Sequence, residues 1–244
     1  ADSIGTAAEV IRRGDAVAMI AGGAEGAVTR MSITAFANSR ALSRNNDPAT
    51  ASRPFDRERD GFVLGEGSGI LILEDQEHAE RRGANIICEY RGYGQSADAF
   101  HITQPSEQGE GAARAMNIAL TKARISPSDV DYINAHGTST PLNDKFETLS
   151  IKSVFGEQAY SVPISSTKSM VGHTLGAAGG IEAVVTALSI KDDVIHPTIN
   201  LQSPDRDCDL DYVANQSRTT SVNIAMTNSL AFGGHNSSLV FSKY

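Results

Sequence analysis

Three short segments of the 244-residue chain gather small, polar and titratable side chains: residues 134–141 (NAHGTSTP), 166–182 (STKSMVGHTLGAAGGIE) and 228–236 (NSLAFGGHN). In the first, His136 is followed by Gly137, Thr138, Ser139 and Thr140, a run of hydroxyl and backbone donors. In the second, Lys168 and His173 lie across a strand-to-helix turn, and Glu182 on the following helix can reach back to them. Two histidines, a lysine and oriented N–H groups suit the stabilisation of a negatively charged oxygen, which acyl-transfer and enolate chemistry require. Each piece also has a plainer reading, the histidine as a structural side chain and the lysine with Glu182 as an ion pair supporting a packed helix. No nucleophile accompanies them. Cys88 sits in mid-strand, and Cys208 lies in DRDCDLDY, where Asp207 and Asp209 would raise its thiol pKa, so both read as structural.

Such groups need strand ends, because α/β folds build their sites where strands run into loops or helices. The chain opens with a helical pattern, Ile4, Ala7, Ala8 and Ile11, closed by Arg12, Arg13 and Gly14. A buried strand follows over 16–23, then short helical pieces and loop, including an ordered polar excursion at 52–61, then a strand over 69–74 and an exposed helix over 75–83. A new unit starts near Gly83, so the division is 1–83 and 84–244. It reads as strand 85–94, helix 106–124 (Ala112, Met116, Ala119, Leu120 and Ala123 on one face), strand 131–135 and helix 141–155 (Leu142, Phe146, Leu149). Strand 162–166, helix 174–190 with Ile181, Val184, Val185 and Leu188 inward, and strands 223–229 and 237–242 complete it. That order implies an α/β layer with a mixed sheet, preceded by the tail of a similar unit. The small residues from Gly176 to Gly180 let their helix lie close to neighbouring backbone, buried between layers.

Composition narrows the function. The net charge of −8, with no long block of like charge, argues against a nucleic-acid or anionic-membrane surface. Two cysteines give no disulfide framework and point to a reducing, cytoplasmic setting. Nothing like a signal or transit peptide precedes Ala1, and the start reads as lying inside a larger fold. GEGSG at 65–69 is not a dinucleotide fingerprint, since a strand rather than a helix follows it. His78, His101, His196 and His235 show no zinc-ligand spacing, so no metal or protein-bound cofactor is expected.

With RALSRNND at 40–47 and SRPFDRERDGFVLGEGSG at 52–69, the three segments closely resemble the elongating β-ketoacyl-acyl carrier protein synthases of fatty-acid synthesis. The resemblance runs along the whole chain and implies the thiolase fold, a five-layered αβαβα arrangement of duplicated halves. Residues 84–244 then correspond to the complete second half and 1–83 to the end of a truncated first. It further implies a decarboxylative Claisen condensation, with acyl and malonyl groups delivered on the phosphopantetheine of an acyl carrier protein. By resemblance, His136 and His173 hold the malonyl thioester oxygen, Lys168 organises the site and Glu182 is its structural partner. Phe232 matches the phenylalanine beside the oxyanion hole, Thr138 and Thr140 match hydroxyls contacting the pantetheine arm, and Phe36 an acyl-pocket gate. The family's cysteine nucleophile would stand a few residues before Ala1, and its members are homodimers.

Two histidines argue against the initiating synthases, which pair one histidine with asparagine, and the motifs differ from those of thiolases. STKS and HGTST are closer to fatty-acid than to modular polyketide synthases. Asn143 departs from a common glycine, and Leu230-Ala231 from Phe-Gly, where alanine narrows the backbone's freedom beside the gate. Between 30 and 57, five arginines stand against Asp47 and Asp56, a cationic patch suited to an acidic carrier protein, and Arg40 matches a carrier-binding position of the family. The alternatives are a non-catalytic pairing subunit of the chain-length-factor type and an inactive fragment. Retention of His136, His173 and Lys168 favours the enzyme.

Overall fold

The computed structural model describes all 244 residues. Its first part comprises α1 (Asp2–Arg12), β1 (Ala18–Glu25), α2 (Arg30–Asn38), β2 (Gly67–Glu74) and α3 (Gln76–Arg81), with β1 and β2 paired antiparallel. There follow β3 (Glu89–Ala97), α4 (Glu110–Ala123), β4 (Tyr132–Asn134), α5 (Pro141–Phe155), β5 (Ile164–Ser165), α6 (Lys168–Val171) and α7 (Ala178–Asp192). A small ribbon of β6 (Val194–Ile195) and β7 (Arg218–Thr219) precedes the closing hairpin, β8 (Ile224–Ala231) and β9 (His235–Ser242). The main sheet has the order β3-β9-β8-β4-β5; β4 runs parallel to β5 and β8, while β9 is antiparallel to both neighbours.

Strand alternation splits the core between the two faces of this sheet. Ile133, Met226 and Val240 pack with Met116 and Leu120 of α4 and Ile151 and Phe155 of α5. Tyr132, Ala225, Leu239 and Phe241 point the other way, toward Ile4 of α1 and Ala183 and Ile190 of α7. Beyond α1 and α7 lies the β1–β2 ribbon, so four layers stack in the order αβαβ. No helix is long and apolar enough to cross a membrane.

Helix α7 threads between two sheets at the closest possible range. A Cβ placed on Gly180 would stand 2.7 Å from the Gly23 backbone nitrogen and closer still to the Gly69 carbonyl oxygen. The demand for small side chains reverses the face expected from hydrophobic spacing. Ala183, Thr186 and Ala187 are buried, whereas Ile181, Val184 and Val185 are half-buried and Leu188 is exposed. The helix also starts later than 174, because Leu175–Ala177 forms a separate 3-10 turn.

Helix α5 departs from its pattern for a different reason. Its bounds agree with 141–155, and Thr140 caps it by accepting the Asn143 N–H. Its buried stripe, however, is Asp144, Glu147, Thr148 and Ile151, while Leu142 is exposed and Phe146 and Leu149 are only half-buried. The buried carboxylates are there because partners await them inside the molecule. Most strand bounds move by one to four residues, and the starts of β3 and α4 show why. Strand β3 begins at Glu89 because that residue pairs with Ser242, the last of β9, and the earlier residues have no ladder partner. Helix α4 begins at Glu110 because Gln108 takes a left-handed conformation, φ 74°, that breaks it from the preceding turn.

The excursion at 52–61 is ordered, as its composition suggests, with Phe55, Asp56 and Arg59 all buried. Phe55 stacks on Tyr212 at 3.8 Å between ring centroids. Asp56 accepts the backbone N–H groups of Gln202 and Ser203 at 2.8 and 2.7 Å.

In the intact protein, Gly180→Ala should lower unfolding free energy by about 1–3 kcal/mol despite alanine's better helix propensity, because backbone on two sides cannot yield. Gly26→Ala, where a Cβ meets nothing within 4 Å, should stay within about 0.5 kcal/mol. Chemical denaturation of both variants checks the contrast.

Candidate active site

Strands β4 and β5 run parallel and side by side, so the chain leaves both at the same edge of the sheet, and the residues that follow them meet there. His136 lies just past β4, and Lys168 opens α6 just past β5. His173 is tied to the segment before β2: its N–H donates to Val63 O at 2.7 Å and its carbonyl accepts from Gly65 N–H at 3.0 Å. Glu182 arrives from the first turns of α7.

These four side chains form one cluster. The Lys168 ammonium is 3.2 Å from His136 Nδ1 and is salt-bridged to Glu182 Oε1. The His136 and His173 rings meet edge to face with centroids 5.3 Å apart. His136, Lys168 and Glu182 are buried, and His173 is half-buried.

Burial and the lysine together keep both imidazoles neutral. The His136 pKa is driven well below the usual histidine value, by desolvation first and then by Lys168 and His173. His173 is lowered to about 3 by desolvation and then Lys168. Burial pushes the Glu182 carboxyl up against the pull of Lys168. The tautomers follow from the hydrogen bonds. An ammonium can only donate, so His136 Nδ1 accepts from Lys168. His173 Nδ1 accepts the Leu175 N–H at 3.2 Å. Each ring therefore carries its proton on Nε2, and the site holds two neutral N–H donors fit to bind a developing oxyanion.

A second ring of groups fixes the His136 loop. Glu147 accepts the N–H of His136 at 2.7 Å and of Gly137 at 2.8 Å, and burial raises its pKa to about 7. Arg59 donates to the carbonyls of Thr140 and Pro141 at 3.2 and 2.9 Å and pairs with Asp144 at 3.4 Å and Asp205 at 2.6 Å. Ser139, at φ 72°, accepts the Arg53 N–H through its hydroxyl at 3.0 Å. None of Glu147, Asp144 and Arg59 stood out in the sequence. The signal for the two carboxylates was the polar stripe Asp144, Glu147 and Thr148 of α5 at positions i, i+3 and i+4.

The remaining expected residues lie at increasing distance from this centre. Thr138 and Thr140 stand on the His136 loop with their hydroxyls 2.9 Å apart. Phe36 reaches the site through Phe62, a ring the sequence reading passed over: Phe36 packs on Phe62 at 5.3 Å, and Phe62 on His173 at 5.1 Å. Arg40 is exposed just beyond α2, near Arg44, whose N–H donates to Asp60 at 2.9 Å. Of the two aspartates set against the patch, Asp47 is exposed, whereas Asp56 is buried and turned inward. Phe232 sits in the turn between β8 and β9 with half its side chain open, and it makes no ring contact with either histidine. Ala231 pairs within the ladder opposite His235, and the left-handed conformations fall on Gly233 and Gly234, so alanine causes no strain there.

Comparison with known proteins identifies the family. Residues 1–79 match the beta-ketoacyl synthase N-terminal domain and residues 87–202 the beta-ketoacyl synthase C-terminal domain. The chain belongs to the β-ketoacyl synthase family. It is 56% identical over 243 residues to 3-oxoacyl-[acyl-carrier-protein] synthase 2 of Staphylococcus aureus strain COL and 56% identical over 244 residues to the synthase 2 of a Synechocystis species, in both cases along 100% of this chain. It spans only 59% of either relative's length. A β-ketoacyl synthase of Burkholderia phymatum superposes with a TM-score of 0.95 at 43% identity, over 100% of this chain and 59% of that one. The AntDE:AntF complex, a type II PKS acyl-carrier protein with its ketosynthase bound to the hexaketide, gives 0.97 at 46% identity, over 100% and 60%. These neighbours carry the thiolase-type ketosynthase fold, of which the four layers here are a part.

Neither thiol of this β-ketoacyl synthase chain is activated. Burial raises Cys88 to about 11 and Cys208 to about 12. The carboxylates that raise Cys208 further are Asp144 and Asp205, brought in by the fold, rather than its sequence neighbours Asp207 and Asp209.

A carboxyl whose pKa rises on folding takes up protons between its unfolded and folded values, so it costs stability as pH climbs through that window. For Glu147 the window runs from 4.5 to about 7. The stability of Glu147→Gln relative to the parent should therefore improve with pH across it, by about 3 kcal/mol in all. Paired denaturation curves at pH 4.5 and 7.5 measure this, and a constant difference would contradict it.

Proposed function

We propose that the longer protein carrying this chain is an elongating β-ketoacyl-acyl carrier protein synthase, an acyltransferase of fatty-acid synthesis. The observation that carries this reading is the buried pair of neutral imidazoles, each with its proton on Nε2, beside the Lys168–Glu182 pair. An acyl group passes from the carrier's pantetheine sulfur to a cysteine thiolate of the enzyme, and the carrier sulfur leaves as thiolate. We assign that cysteine to the part of the protein beyond these residues, since Cys88 and Cys208 are held as thiols by burial. A malonyl thioester then enters and its carboxylate leaves as carbon dioxide. The electron pair of the broken carbon–carbon bond passes into an enolate whose oxygen accepts hydrogen bonds from His136 and His173. The enolate carbon attacks the acyl thioester, the new carbon–carbon bond forms, and the cysteine departs as thiolate.

Lys168 holds the His136 ring by donating to Nδ1, and its charge keeps both imidazoles from taking up protons that would neutralise the enolate by transfer. In this reading Thr138 and Thr140 meet the pantetheine arm, Phe36 bounds the acyl pocket, and the Phe232 N–H serves the acyl oxyanion. No resident cofactor is needed, because phosphopantetheine comes with the substrate. The exposed Arg40 and Arg44 suit an acidic carrier protein, and a family neighbour was solved with its acyl carrier protein. A homodimer in the cytoplasm completes the reading, in keeping with the two free cysteines. One neighbour, the ishigamide ketosynthase/chain length factor at 40% identity, keeps a pairing subunit in view. That role makes no use of two oriented imidazoles and a buried lysine.

In the intact protein, His136→Ala or His173→Ala should cut decarboxylation of malonyl-carrier protein by about 10²–10³-fold, the usual cost of one oxyanion donor, while acyl transfer to cysteine falls far less. Equal losses in the two half-reactions would sink these roles. Arg40→Glu should weaken carrier-protein binding about fivefold at low salt and less at high salt. Titration by fluorescence anisotropy at two ionic strengths decides it, and unchanged affinity at low salt would remove Arg40 from the docking surface.

A further inference from the structure

The position of Lys168 depends on a segment to which the reaction gives no part. Helix α6 has four residues, too few to hold its own shape, so its orientation comes from what grips it. Residues 196–200 (HPTIN) grip it on both flanks of the lysine. His196 Nε2 lies 3.1 Å from Thr167 Oγ1, and Thr198 Oγ1 accepts the Ser166 N–H at 3.0 Å. On the far side, Ser169 Oγ accepts the Ile199 N–H at 3.1 Å. Asn200 donates to Ser52 O at 2.9 Å, and the Ser52 hydroxyl donates to the Lys168 carbonyl at 2.7 Å.

The donors and acceptors form a small branched network around Thr167 and His196. His196 Nδ1 donates to Pro197 O at 3.0 Å, which leaves Nε2 as an acceptor. Asn134 Nδ2 donates to Thr167 Oγ1 at 3.0 Å, and the Thr167 hydroxyl has two acceptors in reach, Asn134 Oδ1 at 3.2 Å and His196 Nε2 at 3.1 Å, with Nε2 also 3.1 Å from the Tyr132 hydroxyl. Thr198 is fully buried, so removal of its hydroxyl would leave the Ser166 N–H without a partner. We propose that His196 and Thr198 are positioning residues for Lys168, setting the turn 166–169 so that the ammonium meets His136 and Glu182 together. The inference rests on the condensing-enzyme reading above.

The test uses the intact synthase and two pairs of variants, assayed separately for malonyl-carrier decarboxylation and for acyl transfer. A glutamine at 196 can put its amide oxygen where Nε2 stands, whereas asparagine reaches only the Nδ1 position. Thr198→Val keeps the shape without the hydroxyl, and Thr198→Ser keeps the hydroxyl. His196→Asn and Thr198→Val should lower kcat for decarboxylation about 10- to 100-fold, the cost of a small misplacement of a catalytic group, with KM for malonyl-carrier protein within about twofold. His196→Gln and Thr198→Ser should stay within about threefold of the parent on the same argument. Decarboxylation unchanged in His196→Asn and Thr198→Val, or lost equally in the conservative partners, would overturn the inference. If one 196 variant fails to fold, the 198 pair decides. A parent enzyme that does not decarboxylate malonyl-carrier protein at all would instead bring down the functional reading on which this one stands.

Discussion

The buried ion pair between Lys168 and Glu182 is the constraint around which the site is arranged. An ammonium and a carboxylate taken out of water together are stable only if each keeps its partner, and removal of either would leave an uncompensated charge. The pair joins α6 to α7, and the lysine also donates to His136 from the end of β4. Three elements are thereby brought to one point. The same charge that holds them lowers the affinity of both imidazoles for protons. Structural and chemical roles are one interaction.

Around that centre the molecule satisfies polar groups in places where a packed layer would ordinarily put hydrocarbon. Glu147, Asp144 and Arg59 lie inside the fold, each with partners from the backbone of a distant loop. Their contribution is specificity of loop shape rather than net stabilisation, since buried polar groups seldom gain more than they lose in leaving water. What they secure is the direction of the His136 peptide, which no hydrophobic contact could fix.

The cluster of His136, Lys168, His173 and Glu182 was legible because these residues sit at strand ends in short segments rich in small polar residues, a pattern tied to local structure. The alternation of strand and helix after Asn85 and the mixed sheet were legible for the same reason. Helix α7 was legible in part: Gly176 to Gly180 announced its close approach to backbone between layers, but the rule that apolar side chains point inward fails there, and Ala183 and Thr186 took the place assumed for Ile181 and Val184. Helix α5 was misread because its buried face carries charges, Asp144 answered by Phe55 and Arg59 from far along the chain and Glu147 by the loop just after β4. Phe62 was hidden in a motif noticed for its charged residues. Where local pattern sets the structure, sequence sufficed; where a partner more than 80 residues away sets it, as Arg59 does for the Thr140 carbonyl, it did not.

That separation bears on how the protein comes into being. Ser52 binds the Lys168 carbonyl across 116 positions, Arg59 meets Asp205 across 146, and Asp56 caps Ser203 across 147. Contacts of this span bring a large loss of chain freedom before they return any stabilisation. On the ribosome, the 52–61 loop emerges well ahead of every one of these partners. It stays without the last of them until residue 205 has left the exit tunnel, so the histidine pocket closes late in synthesis, after helices such as α4 and α5 whose backbone hydrogen bonds join near neighbours.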